Sequence, residues 1–200
     1  MRIRVVAAVG LPLLWNNWLL PRLALDHRGR TAANAVAATG YALVFRGRPN
    51  WLSGPGTRIG LGCAAVVAAA YTAAVAVPAV RRSLAGAEDR AADVGTLEWV
   101  ALHIPLGTVY TEELIFRGTL DPLLDTEFGT CAGALLGSAA FGLWHVFPAR
   151  AAGDNILVTV VFTGAAGLVF GALRRWTSSA TAPALPHWAV NAGGALMSRL

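Results

Sequence analysis

The sequence contains no lysine and only two cysteines, and charged side chains make up 14% of its 200 residues. Each scarcity excludes something. A soluble domain draws on about 25% charged residues to cover its surface, so lipid rather than water is the expected solvent. Cys63 and Cys131 sit singly in apolar runs beside Gly or Ala. They lack the pairing of a metal or redox motif and read as buried small hydrophobes. No small-x-small cleavage site follows the apolar run after Arg2 and Arg4, and Pro12, Asn16 and Asn17 interrupt that run. The N-terminus therefore reads as a retained first helix rather than a removed signal peptide. Long polar stretches, repeats and low-complexity tracts are missing too.

What is present is hydrophobic. Apolar residues make up 56% of the chain and mean hydropathy is +0.55. The net charge of +5 rests entirely on arginines, most of them between apolar segments. That distribution suits anionic lipid headgroups and not nucleic acid. The lack of Lys beside abundant Ala, Gly, Val and Arg resembles high-GC coding, which points to a bacterial plasma membrane.

A bilayer-spanning helix needs about 20 mostly apolar residues. Ile59 to Val80, closed by Arg81 and Arg82, meets this. So does Val158 to Leu173, extended by Ile156 and Leu157 and closed by Arg174 and Arg175. Thr96 to Phe116, Thr130 to Phe147 and Ala180 to Met197 are apolar but hold His, Glu or Asn. Val5 to Leu20 and Thr31 to Phe45 are short enough to be spans or interfacial pieces. Polar turns are expected at 26–30, 46–58 and 85–93, with an acidic connection at 121–129. The predicted class is all-α: a polytopic transmembrane bundle of six or seven spans, with N-terminal helices over 1–94 and a helical core bearing polar residues over 95–200. Spanning backbone must bond internally, and the Ala-rich runs do not alternate as barrel strands do. With seven spans, and Arg117 set aside as intramembrane, arginines divide seven to eight between the two sides. The positive-inside rule then assigns no orientation.

Ionisable groups inside a span cost about 2.5–3.5 kcal/mol each on insertion scales and mark function by default. Glu112, Glu113 and Arg117 form Glu-Glu-x-x-x-Arg, His145 ends Phe-Gly-Leu-Trp-His, and His187 and Asn191 form His-x-x-x-Asn. Glu113 and Arg117, four apart with the acid first, suit an ion-pair clamp. Glu112 points about 100° away on a helix of 3.6 residues per turn, so its partner must come from another helix. His187 and Asn191 share a face, and Phe141 lies one turn before His145, placed to pack beside it. A carboxylate can take a proton from an attacking water that a His helps to hold. A His and an Asn amide can donate to a developing oxyanion. These residue types suit amide hydrolysis, and equally a proton-coupled transporter or a metal site.

Other polar residues read as structural. His103 faces away from Glu112 on a straight helix, unless Pro105 kinks it. His27 is expected in a solvated loop beside Asp26 and Arg28. Glu98, Trp99 and Tyr110 suit interfacial anchoring. Gly133, Gly137, Gly164, Gly167 and Gly171 suit close helix packing.

Three motifs in series carry a resemblance: Glu-Glu-Leu-Ile-Phe-Arg-Gly at 112–118, Phe-x-x-x-His at 141–145 and His-x-x-x-Asn at 187–191. Together they resemble the CPBP family, also called Abi, the type II CAAX prenyl endopeptidases and their bacterial relatives. Gly167-Leu-Val-Phe-Gly-Ala-Leu-Arg-Arg is similar to that family's penultimate helix. The likeness covers roughly residues 95–197 and implies an intramembrane endopeptidase. It implies Glu112 as general base, His145 as its partner on the water, and His187 with Asn191 as the oxyanion site. Glu113, Arg117 and Phe141 would support them. It implies as partners membrane lipid and a peptide or protein substrate, lipidated or not. The family is often labelled metalloprotease, yet His-Glu-x-x-His is absent. Glu112, His145 and His187 could supply three Zn2+ ligands. A metal-free glutamate protease is the preferred expectation, because Asn191 beside His187 suits an oxyanion donor. The rival reading is a non-proteolytic protein of the same fold: a bacteriocin self-immunity factor, a scaffold or a proton-coupled transporter.

Overall fold

The computed structural model describes residues 2–80 and 94–198. Among these, every regular element is helical. Arg81, Arg82, Arg199 and the turn expected at 85–93 lie outside the described residues.

Helix α1 runs Arg2–Leu14, widens into a π-type turn at Trp15–Leu19, and closes as Leu20–Arg22. Helix α2 spans His27–Phe45. Asp26 caps it, its Oδ1 accepting from Gly29 N at 2.7 Å, as short acidic side chains do at helix starts. Residues 27–30, expected in a turn, are thus its first turn. Helix α3 spans Gly54–Ala76, capped by Ser53 and started by Pro55, so the 46–58 connection is shorter than expected. It stops before Val80 because Val77 precedes Pro78 and is held extended, at φ −91° and ψ 111°, as the proline ring requires.

Helix α4 begins at Thr96–Glu98 and continues as π-type turns over Trp99–Tyr110 and Glu113–Leu120. Two threonines follow that wider winding. Thr111 Oγ1 donates to Leu106 O at 3.0 Å and Thr119 Oγ1 to Leu114 O at 2.8 Å, each five residues back. Helix α5, Asp121–Trp144, continues from it but is broken at Gly129, where φ is 78° and ψ 160°. Only glycine enters that region without strain. There the chain folds back on itself. A Cβ at Gly133 would collide with Asp125, and one at Gly137 with Asp121, while the Arg117 guanidinium lies over the Phe141 ring. These pairs are symmetric about Gly129, as an antiparallel helical hairpin requires. The acidic stretch expected as a loop is therefore helix up to residue 128. Pro122 lies inside this continuous run, where the carbonyls its missing N–H would serve accept from outside the helix, Arg117 O from Arg174 Nε and Gly118 O from Arg48 N, and one glycine makes the whole reversal.

Helix α6 is Val146–Ala151, and α7 is Ile156–Thr177, capped by Asn155. Helix α7 runs antiparallel to the second arm of α5, with Gly142 against Val160 and Gly164 against Ser138. Helix α8, Thr181–Met197, runs parallel to α3. Gly60 meets Ala182, and further along Gly193 meets the Tyr71 ring, whose hydroxyl donates to Val190 O at 2.9 Å.

Four helical runs are long and apolar enough to cross a membrane: Ile3–Arg22, Gly54–Ala76, Thr96–Ala151 and Ile156–Thr177. The third contains the hairpin. Six or seven spans were expected; α2, which begins with Arg28 and Arg30, and α8, with 17 residues, are not among the four. Leu61, Val66, Val161, Phe162 and Val169 are each more than half exposed, as lipid-facing side chains are. The protein is an integral membrane helical bundle. Its interior is an aromatic and aliphatic cluster including Phe45, Phe116, Leu120, Leu124, Phe141, Trp144 and Phe170. Both cysteines are free, but Cys131 is exposed and Cys63 only half-buried, which corrects the expectation of burial. On a bundle of this kind an apolar side chain can face lipid without cost.

Candidate active site

The hairpin sets Glu112 on one arm opposite Trp144 and His145 on the other, and α8 brings His187 to both. Trp144 Nε1 donates to Glu112 Oε1 at 3.1 Å. The second oxygen, Oε2, has no hydrogen-bond partner among the described residues. It lies 3.9 Å from His145 Nε2 and 3.7 Å from His187 Nε2. Glu112 is buried with an exposure of 6%, so the local field is that of a desolvated carboxylate between two imidazoles.

The far nitrogens of both rings are engaged. His145 Nδ1 lies 2.8 Å from Phe141 O, and His187 Nδ1 lies 2.8 Å from Glu113 Oε1. A carbonyl and a carboxylate only accept, so each Nδ1 carries the proton and donates. In the neutral rings the lone pairs then sit on the two Nε2 atoms that face Glu112. His187 also stacks on Phe170, ring centroids 4.9 Å apart, and Phe141 meets His145 edge-on at 5.0 Å.

Beneath these rings lies the clamp. Glu113 and Arg117 are both 0% exposed, with Arg117 Nε 3.6 Å from Glu113 Oε2 and 4.0 Å from Asp121 Oδ2. The Arg117 guanidinium sits 4.4 Å from the Phe141 ring centroid. Further along, Asp125 accepts two bonds from Arg175, at 2.8 and 3.0 Å, and Arg174 Nε donates to Arg117 O at 3.0 Å.

Of the residues picked out from the sequence, Glu112, His145 and His187 come together, with Glu113, Arg117 and Phe141 packed around them. Asn191 Nδ2 donates to His187 O at 3.0 Å, a bond within its own helix. His103 is apart: buried, it bonds Thr31 at 2.7 Å and Glu98 at 3.2 Å. Glu98 also holds Arg28 at 2.7 and 3.1 Å, a hydrogen bond that raises the Arg28 pKa above its ordinary value. His27 is no loop residue; it opens α2, with its ring 5.1 Å from Trp99. Sequence reading missed Trp144 and Asp121, and missed that His187 touches both glutamates. Trp144 carried a signal, since an indole N–H inside a span needs an acceptor.

Residues 95–193 match the model of the Rce1-like family, type II CAAX prenyl endopeptidases. The chain belongs to this family. No curated protein and no solved structure matches it. The family is one of CAAX-protease-type intramembrane peptidases, and the matched segment begins one residue before α4 and ends inside α8. All three motifs of the CPBP resemblance lie within it.

The family's metalloprotease label makes metal a question for the geometry. Paired Nδ1 atoms and free Nε2 lone pairs are what imidazole ligands present to a metal. However, among the described residues no three His, Cys, Asp or Glu side chains form a group that could hold an ion. As arranged, Glu112, His145 and His187 do not fit one.

Proposed function

We propose that this Rce1-like protein is an intramembrane endopeptidase that hydrolyses a peptide bond of a membrane-associated or lipidated substrate in the bacterial plasma membrane. The observation that carries the reading is the unpartnered Oε2 of Glu112, buried and within 4 Å of Nε2 on both His145 and His187.

In this proposal water binds at Glu112 Oε2, donating one proton to the carboxylate and the other to the His145 Nε2 lone pair. As the water oxygen attacks the substrate carbonyl, Glu112 takes its proton and later delivers it to the leaving amine. General acid–base help of this kind is worth about 10²–10⁴-fold. The carbonyl oxygen becomes negative and needs donors. His187 supplies one from Nε2 as an imidazolium, with the Glu113 carboxylate on Nδ1 compensating its charge. An amide nitrogen carries two protons; Asn191 engages one with His187 O and offers the other to the same oxyanion. Arg117, flat against Phe141, holds Glu113 in place. The described residues 2–80 form the helices that flank this core. No metal or cofactor takes part.

The test compares wild type with Glu112→Gln on a quenched fluorogenic transmembrane reporter peptide in proteoliposomes. Wild type should cleave it and the variant should be at least about 10²-fold slower. Equal cleavage by both removes Glu112 from the mechanism. A non-proteolytic transporter of the same fold would instead show Glu112-dependent proton flux and no cut peptide.

A further inference from the structure

Helix α5 ends at Trp144 for a covalent reason. A continuing helix would have residue 148 donate to Trp144 O, but residue 148 is proline, which has no N–H and whose ring crowds that carbonyl. His145 sits at the break with φ −90° and ψ 5°. Opening the helix there strips partners from two carbonyls, Leu143 O and Trp144 O, and from the Phe147 amide. Backbone groups in a bilayer-spanning fold, with no water to bond them, need replacements.

Helix α1 supplies all three. Asn16 Nδ2 donates to Trp144 O at 2.8 Å. Asn17 Nδ2 donates to Leu143 O at 3.0 Å, and Phe147 N donates to Asn17 Oδ1 at 2.7 Å. Leu143 O and Phe147 N are the pair that would bond each other in an unbroken helix. The Asn17 carboxamide is therefore a wedge inserted into that one hydrogen bond. Two consecutive side chains reach the same helix end because α1 is π-wound over Trp15–Leu19, a local widening often found at functional sites.

We infer that Asn16 and Asn17 are positioning residues for the active site, acting through His145 and Trp144. This rests on the proteolytic reading above. The wedge brackets His145 and fixes the rotation at which its ring leaves the helix. Asn16 holds the carbonyl of Trp144, the residue whose indole holds Glu112 Oε1. Both asparagines lie outside the matched residues 95–193, so the unmatched N-terminal half completes the site.

The experiment uses the full chain as wild type, Asn17→Ala, the isosteric Asn17→Asp, and Asn17→Ala combined with Pro148→Ala. The double variant lets the 147-to-143 and 148-to-144 bonds close. Cleavage of the fluorogenic reporter peptide in proteoliposomes gives kcat and KM. Nitrogen NMR of 15N-histidine-labelled protein in micelles, assigned with His145→Gln, reads the His145 ring without any substrate. Both single variants should lower kcat about tenfold or more with KM within about twofold, as small misplacements of reacting groups do. The His145 signal should lose its single Nδ1-protonated form. The double variant should regain thermal stability but not kcat. A kcat near wild type with unchanged ring signals in Asn17→Asp overturns the inference, and so does recovery of kcat with stability in the double variant. Should Asn17→Ala not fold, Asn17→Asp is read by the same criteria. Intact cleavage by Glu112→Gln would sink the proteolytic reading instead, leaving the ring signals to decide whether Asn17 sets the His145 geometry.

Discussion

His187 joins the two glutamates: its Nδ1 is 2.8 Å from Glu113 Oε1 and its Nε2 is 3.7 Å from Glu112 Oε2. The second glutamate thus orients the ring that faces the first. Replacing Glu113 by Gln keeps an acceptor for Nδ1 but removes the charge behind the imidazolium. Cleavage kinetics should show kcat lowered about 10–100-fold, the usual cost of losing a partner that orients a functional imidazole, with KM little changed. A change confined to KM would place Glu113 in substrate binding.

Arg117 should matter to the fold more than to substrate. It is fully buried against Glu113, Asp121 and the Phe141 face. Arg117→Met leaves two buried carboxylates without their cation, a loss of about 3–5 kcal/mol. Thermal unfolding in micelles should show the midpoint fall sharply. Arg117→Lys should recover little, because an ammonium cannot lie flat on an aromatic ring as a guanidinium does.

Gly129 carries the reversal of the hairpin. Alanine there forces a side chain into φ 78° and ψ 160°, costing about 1–3 kcal/mol. Gly153, also at positive φ, 70°, lies in the α6–α7 turn, away from the hairpin. Gly129→Ala should lower both stability and kcat, since it shifts Glu112 against His145. Gly153→Ala should lower stability alone. Equal effects on kcat from the two would mean the hairpin angle does not set the site.

Cleavage of the reporter should survive a strong chelator, with metal content measured on the same preparation. Loss of activity restored by Zn2+ would transfer Glu112, His145 and His187 from proton transfer to ligation.

Much of this was legible in the sequence because each polar residue sat in an apolar run. Lipid as solvent, helices as the only element, and the division between Glu112 and the Glu113–Arg117 clamp follow from periodicity and the cost of burying charge. Other features were hidden. The 121–128 stretch looked like a loop because its acids suggested water, yet Asp121 and Asp125 face Arg117 and Arg175 inside the bundle. The π-type winding of α4 leaves no mark on a 3.6-residue wheel. Asn16 and Asn17 read as interruptions because their partners lie some 130 residues away, a distance no local pattern spans. The arrangement of Asn191 depends on which side-chain rotamer its helix favours, which spacing alone does not encode.

Because a single glycine folds the hairpin, Glu112 and His145 can meet as soon as those two neighbouring segments have been made. His187 arrives only with α8, which is made after both arms of the hairpin. Until α8 has followed, a growing chain of the proposed peptidase holds a carboxylate and one imidazole but neither His187 nor Asn191.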